Sequence, residues 1–359
     1  MSEGLSSTPE GAIETLNKKQ EADLAKPLTE SGIIISNENT KEIDQESVGL
    51  IEKLHEFPVM LIEKAGKKSL SDIQAKAPDK DICFCDGYIE GTENWERDGA
   101  GFKRENVLVI DHHMPLEEMS RNISTTNLVI NYVKKHGPVG KDVVTMISHT
   151  DCDSILSVAI MRGILKPKEE YGTSAIAADH TGEPNAIGDL LQSLEIDEQG
   201  KDLRDIEFSL RNLELLLQGK ELEPRAKNLL QLRYKDREKA LQIVEEKFES
   251  TDSGKTFYAE VDKKIDGGLL PAIIPSAHII ILFCPMYDKN TGEKLKEKEA
   301  KIRLGLRAPS GIDLRKIMEL VDKKFGGRWD AGSNGRNGGT ILDVETYAQM
   351  IDKIYGGCI

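Results

Sequence analysis

The chain has 359 residues, 62 acidic side chains against 48 lysines and arginines, and a net charge of −14. That length suits two domains with separate cores, since domains usually run to about 100–200 residues. The acidic balance excludes the broad basic footprint that grips long duplex nucleic acid, and favours a small anionic substrate held locally.

Residues 1–48 are rich in Ser, Thr, Glu, Lys and Asn, carry no aromatic side chain and hold one short β-like run at 33–35. They are expected to form a flexible or loosely packed leader. The opening MSEGLSSTPEG lacks the basic start and apolar stretch of a signal peptide. Cys83, Cys85, Cys152, Cys284 and Cys358 form no regular framework. Both readings point to a reducing cytoplasm.

From about residue 50 the texture changes. VMLIEKA, DICFCD, NVLVIDHH, DVVTMISH and SAIAADH read as strands, with helices between several of them, one over residues 126–135. Apolar strands alternating with helices predict a mostly parallel sheet covered on both faces, over residues 49–195.

Four of these runs end on aspartate: Asp86, Asp111, the pair Asp151 and Asp153, and Asp179. His112, His113 and His149 accompany them. An ionised carboxylate taken out of water costs roughly several kcal/mol, so aspartates clustered at the edge of a core call for a cation. Carboxylate with neutral imidazole suits manganese or magnesium, with cobalt, iron or zinc open. In parallel α/β sheets ligands bind outside the carboxyl ends of the strands, where these residues fall. His149, Asp151 and Asp153 stand at i, i+2 and i+4 and would project to one side of an extended segment. Ser154 is then placed to cap a helix through SILSVAIMRGIL. Plainer readings stay open: Asp86 before Gly87 as a turn aspartate, Asp153 as a helix cap, and Asp179 with His180 as a helix start.

Residues 196–252 read as a helical connector, with Leu230, Tyr234, Leu241, Val244 and Phe248 forming an amphipathic stripe. A smaller α/β unit over 253–359 follows, with strands TFYAEV, AHIIILFC and KIRLGLRA and a helix starting near Ile312. Its most apolar window, AIIPSAHIIILFCP, falls short of the ~20 residues a membrane span needs. The glycine-rich FGGRWDAGSNGRNGGT comes next, where Gly326, Gly327, Gly338 and Gly339 would let backbone amides approach a ligand. Arg303 and Arg307, at i and i+4 of one strand face, and Arg328 are candidates for a substrate phosphate, with surface ion pairs as the alternative. Trp329 either stacks on a base or belongs to the core.

The IDHH of residues 110–113 with HTDCDS resembles the DHH phosphoesterase superfamily, and RLGLRAPSGIDLRKI with FGGRWDAG resembles its companion DHHA1 domain. The resemblance covers roughly residues 80–190 and 255–345. It implies a fold of a mostly parallel DHH-type domain, the helical connector and a smaller DHHA1-like α/β domain. It also implies hydrolysis of phosphoesters or phosphoanhydrides: short single-stranded oligonucleotides or small nucleotide phosphates first, pyrophosphate or polyphosphate second, and a non-catalytic nucleotide-binding regulator as the third reading. By the same resemblance His149, Asp151 and Asp86 would hold one divalent ion, most readily Mn2+, with Mg2+ or Co2+ possible. Asp153, His112 and Asp179 would hold a second, with Asp86 bridging. Two ions about 3.5–4 Å apart would activate a water between them. His113 would face the scissile phosphate, with Asp111 supporting the histidines. A homodimer is compatible with this reading. In the family HTDCDS-like elements precede the others, whereas here they follow CDG and IDHH, so the order reads as circularly permuted. Arg328 and Trp329 also stand where many relatives have histidine after the glycines.

Overall fold

A computed structural model describes residues 49–61, 68–113, 123–195, 203–263, 265–288 and 290–358. The leader expected over 1–48 lies outside them. Among the described residues the chain forms two six-stranded sheets with helices, an α/β fold.

The first sheet comprises β1 (Val59–Leu61), β2 (Ile82–Cys85), β3 (Glu96–Asp98), β4 (Gly101–Arg104), β5 (Val107–Ile110) and β6 (Val144–Ile147), in the order β1-β6-β2-β5-β4-β3. β1, β6, β2 and β5 run parallel, and β4 and β3 add an antiparallel edge. Every residue of β2, β5 and β6 is buried, as a sheet covered on both faces requires. Cys83, Cys85, Leu108, Ile110 and Ile147 face one core, and Ile82, Phe84, Val107, Val109, Val144 and Met146 face the other. β6, late in the chain, lies beside β2, and Cys85 pairs with Ile110. The carboxyl ends of β6, β2 and β5 therefore meet despite the reordered motifs.

Helices α1 (Leu50–His55), α2 (Leu70–Lys76), α3 (Thr125–His136), α4 (Cys152–Met161), α5 (Glu169–Ile176), α6 (Ala186–Leu194), α7 (Leu203–Leu217) and α8 (Pro224–Lys247) follow the chain. α3 realises the helix expected over 126–135, with Ser124 and Asn127 closing a capping box. SAIAADH is not a strand. It is the end of α5 running into a π turn, Ala177–Thr181. A short buried run of small apolar residues has no periodicity that separates strand from helix, and Ala favours helix. The connector is also more than a link. Ile206, Leu210 and Leu213 of α7 belong to the first sheet's core, and Ile243, Val244 and Phe248 pack at and beyond the far end of α8 under the second sheet. Leu241, expected in that stripe, is exposed.

The second sheet comprises β7 (Glu249–Ser250), β8 (Thr256–Glu260), β9 (Ile279–Tyr287), β10 (Lys294–Leu304), β11 (Gly326–Gly327) and β12 (Ala331–Ser333), in the order β11-β12-β10-β9-β8-β7. Only β8 and β9 pair in parallel. Helix α9 (Leu270–Ile273) precedes β9, α10 (Leu314–Val321) carries Leu314, Ile317 and Val321 as read from its periodicity, and α11 (Val344–Cys358) ends the fold. The glycine-rich segment forms β11, β12 and the turn between them. At Gly327 a Cβ would lie 2.4 Å from the Ala331 carbonyl oxygen, so only glycine allows this hairpin to close. No helix among the described residues is long and apolar enough to cross a membrane.

Candidate metal centre

β2 delivers Asp86 to the strand ends. Its φ of 54° is unusual for a non-glycine residue and marks the stored strain common at functional sites. Gly87 follows because a Cβ there would lie 2.1 Å from the buried Phe84 ring. β5 delivers Asp111, His112 and His113, and β6 delivers His149 and Asp151. Asp151 also caps α4: its Oδ1 accepts from Ser154 N at 3.0 Å. The expected cap Ser154 turns away and donates its hydroxyl to Asp86 Oδ2 at 2.5 Å. An aspartate one turn earlier accepts from the helix amides better than the serine, which is freed for the site.

Asp153 lies in the first turn of α4, not in an extended run with His149 and Asp151. Its Oδ2 accepts from Thr125 N at 2.8 Å, and its Oδ1 from Thr126 N at 2.7 Å and Thr126 Oγ1 at 2.6 Å. The amino end of α3 thus clamps this carboxylate, with the helix dipole favouring its charge. Thr125 Oγ1 donates to Asp86 Oδ1 at 3.1 Å.

Asp86, His112, His113, His149, Asp151, Asp153, Asp179 and Arg328 line one recess of about 160 Å³. Asp86 faces two ways. Its Oδ2 lies 3.0 Å from His149 Nε2, which is also 3.0 Å from Asp151 Oδ2. Its Oδ1 lies 3.7 Å from His112 Nε2, which is 3.7 Å from Asp153 Oδ2 and 3.4 Å from Asp179 Oδ2. One imidazole nitrogen thus confronts three carboxylates at distances longer than a good hydrogen bond. Asp179 Oδ2 is buried and, among the described residues, accepts no hydrogen bond, an expensive state for a carboxylate oxygen. Four carboxylates share the recess with one guanidinium. Hard oxygen donors with imidazole nitrogen, an orphaned oxygen and surplus negative charge fit divalent cations.

The electrostatics follow from this crowding. Burial opposes its charge, yet the His149 imidazole holds Asp86 well below the usual carboxylate range. Burial and the charge of Asp86 push Asp153 well up. His149, against burial, is raised by Asp151 and Asp86. Burial and the neighbouring His113 press His112 down to about 4. His113 is raised to about 9: burial works against it, but Asp111 prevails, accepting from His113 Nδ1 at 2.7 Å. Asp179, against burial, is held low by Arg328.

The second sheet supplies the far wall. Arg328 Nη2 donates to Asp179 Oδ1 at 2.8 Å, its Nε lies 2.6 Å from Asp330 Oδ1, and its Nη1 lies 3.3 Å from His113 Nε2. Arg303 Nη1 donates to the Asp179 carbonyl oxygen at 2.8 Å. Arg303, Gly326 and Gly327 also line a cavity of about 680 Å³, with Lys301, Ser333 and Arg336. Arg307, Gly338 and Gly339 line neither space. β10 stops at Leu304, and Arg307 sits in the following turn with its amide on the Ala277 carbonyl and its side chain exposed, so the alternation that paired it with Arg303 does not apply. Gly339 lies against Met286 and Lys298 instead. Trp329 is core, 4 % exposed. Sequence reasoning missed Thr125, Thr126 and Asp330 and left His180 open. His180 is a buried neighbour of His112, and its adjacency to Asp179 was the one signal available.

Fold and recess together define a class: an α/β protein with a carboxylate–imidazole centre at the carboxyl ends of parallel strands. No family model and no curated protein matches the chain. Among solved structures it is similar to the pGpG-specific phosphodiesterase PggH from Vibrio cholerae, at 12% identity and a TM-score of 0.36, over 61% of this chain and 82% of that one. It is also similar to an exopolyphosphatase-related protein from Bacteroides fragilis, at 13% identity and a TM-score of 0.34, over 78% of this chain and 72% of that one.

Proposed function

We propose that this protein is a metal-dependent phosphohydrolase of the DHH type, acting on short oligonucleotides or small nucleotide phosphates. The observation that carries the reading is His112 Nε2 facing Asp86, Asp153 and Asp179 at 3.4–3.7 Å while His149 closes the opposite side of Asp86. His149 and Asp151 would hold one ion and His112, Asp153 and Asp179 another, with Asp86 shared. Bound divalent ions would supply a water of lowered pKa and offset charge on the phosphoryl oxygens.

The chain's own groups do the rest. Thr125, Thr126 and Ser154 fix the carboxylates, so they need no reorganisation when substrate arrives. Asp111 holds His113 by its Nδ1–H, and Nε2 faces the recess beside Arg328. Raised to about 9, His113 carries a proton at neutral pH that it can give to a leaving oxygen. Arg328 offers a planar pair of donors to a non-bridging oxygen.

One observation favours a second substrate class, pyrophosphate or short polyphosphate. Among the described residues the adjoining cavity presents Lys301, Arg303 and Arg336, beside Asp266 and Glu299, and no aromatic side chain, and Trp329 is buried away from it. Chains of phosphate need cations, whereas single-strand binding ordinarily uses stacking platforms. A manganese-supplemented panel of di- to pentaribonucleotides, linear and cyclic dinucleotides, a nucleoside bisphosphate, pyrophosphate and polyphosphate, with chelator controls, decides between them. Turnover confined to the inorganic substrates selects the second class. No turnover on any member by metal-loaded protein sinks the enzyme reading and leaves a binding protein of the same fold.

A further inference from the structure

The cavity of the second sheet carries an ordered row of charge. Arg303, Lys301 and Glu299 alternate along β10 and line it, each half-buried, while Ala300, Ile302 and Leu304 between and beyond them are buried. Arg303 is the end nearest the candidate metal centre, since its Nη1 donates to the Asp179 carbonyl oxygen at 2.8 Å. Glu299 lies at the far end, about 13 Å along the strand at ~3.3 Å per residue. Outward from the recess the order is two cations and then a carboxylate.

That carboxylate is open. Among the described residues Glu299 makes no side-chain hydrogen bond or ion pair, even with Lys301 beside it on the same face. Asp266, the cavity's other carboxylate, is occupied: its Oδ1 accepts from Gly268 N at 2.8 Å and its Oδ2 from Arg233 Nη1 at 3.3 Å. Gly335 leaves room for Glu299, because a Cβ there would lie 2.8 Å from Glu299 Oε1. Leu270, Ile280 and Leu282 add an apolar wall to the same cavity.

We propose that Glu299 is a specificity-determining residue that selects a nucleoside group at the far end of the cavity over a further phosphate. The inference deepens the phosphohydrolase reading and rests on it. Arg303 and Lys301 suit phosphate whichever substrate class is bound, so the two classes part at Glu299. A bare phosphate chain that reached this point would set negative charge against a carboxylate with no counter-ion among the described residues. A nucleoside instead offers hydroxyl or amino donors, which a carboxylate accepts at two oxygens. Its sugar or base face also fits an apolar wall. A pocket built around an acceptor discriminates against a ligand that cannot pair with it.

The experiment is calorimetric binding of ADP, 2′,3′-dideoxy-ADP and tripolyphosphate to the metal-free full chain, in wild type, Glu299→Gln and Glu299→Ala. We expect wild type to prefer ADP to tripolyphosphate. Glu299→Ala should weaken ADP about 10–100-fold, the worth of hydrogen bonds to a charged acceptor, and should tighten tripolyphosphate. Glu299→Gln keeps one acceptor oxygen without the charge, so it should tighten tripolyphosphate as much and weaken ADP less. Given that pattern, weaker binding of the dideoxy analogue places the ribose hydroxyls at Glu299, and equal binding places the base there. A preference that is the same in all three proteins, or a wild type that favours tripolyphosphate or binds neither, would overturn the assignment. Manganese titration of the same wild-type sample tests the parent reading separately. Without uptake the metal centre falls, and a changed preference in the variants would still identify a nucleotide-binding cavity.

Discussion

The strand-end recess and the glycine-rich edge of the second sheet face one another, yet they are built on opposite principles. The recess is a matter of charge: four carboxylates and three imidazoles compressed around one space, their orientation enforced by α3, α4 and a single arginine. The glycine edge is a matter of shape, a hairpin whose backbone would clash if it carried side chains. Residue identity controls charge in the first and conformation in the second, so substitutions in the two regions should fail in different ways.

The largest effect is expected in the recess. If the proposed metal centre is right, His112→Ala or Asp86→Asn should lower turnover by about 10³-fold or more, because each would remove a donor to ions that would supply most of the transition-state stabilisation. Steady-state kinetics with metal analysis checks it, and unchanged activity would break the assignment. Arg328→Ala should cost the metal-free protein about 3–5 kcal/mol, since Asp179 and Asp330 are left as buried charges without their partner. Urea unfolding measures the loss. Added manganese should restore part of it if a cation can stand in beside Asp179.

At the other region Gly327→Ala should cost about 1–3 kcal/mol through the clash with Ala331. It should raise KM more than it lowers metal affinity. If it depressed manganese binding as strongly as a recess variant, the two regions would not be separable.

The recess alone should also make stability depend on pH in the metal-free chain. His113, raised from 6.5 to about 9, gives stability that is complete below about 6.5 and is lost as pH rises toward 9. His112, lowered from 6.5 to about 4, takes up its proton later than the unfolded chain does, so stability falls as pH drops from 6.5 toward 4. Tm measured across pH should therefore peak near neutrality. Asp111→Asn should make the alkaline limb shallower, with the His149 contribution remaining, and leave the acid limb in place.

Much of the recess was legible because its residues sit in short motifs. Asp86, His112, His149 and Asp151 follow or flank buried strands whose ends a parallel sheet must bring together, whatever their order along the chain. Asp179 was assigned to the recess from the wrong local structure, since AIAADH enters a π turn rather than ending a strand. Arg303 was placed correctly on its strand, and Arg307 was not, because alternation cannot say where a strand stops.

By itself the sequence determined the parallel α/β character of residues 82–147, the apolar faces that bury those strands, and the concentration of carboxylate and imidazole at their ends. Hydrophobic periodicity and the cost of burying charge act locally, and both can be read from neighbours in the chain. Only the tertiary structure decided that β6 lies beside β2, that α3 clamps Asp153, and that Arg328 and Asp330 reach Asp179 and His180 across some 150 residues. Those contacts join segments with no spacing in common. They exist because the two sheets pack together, and no local pattern records that.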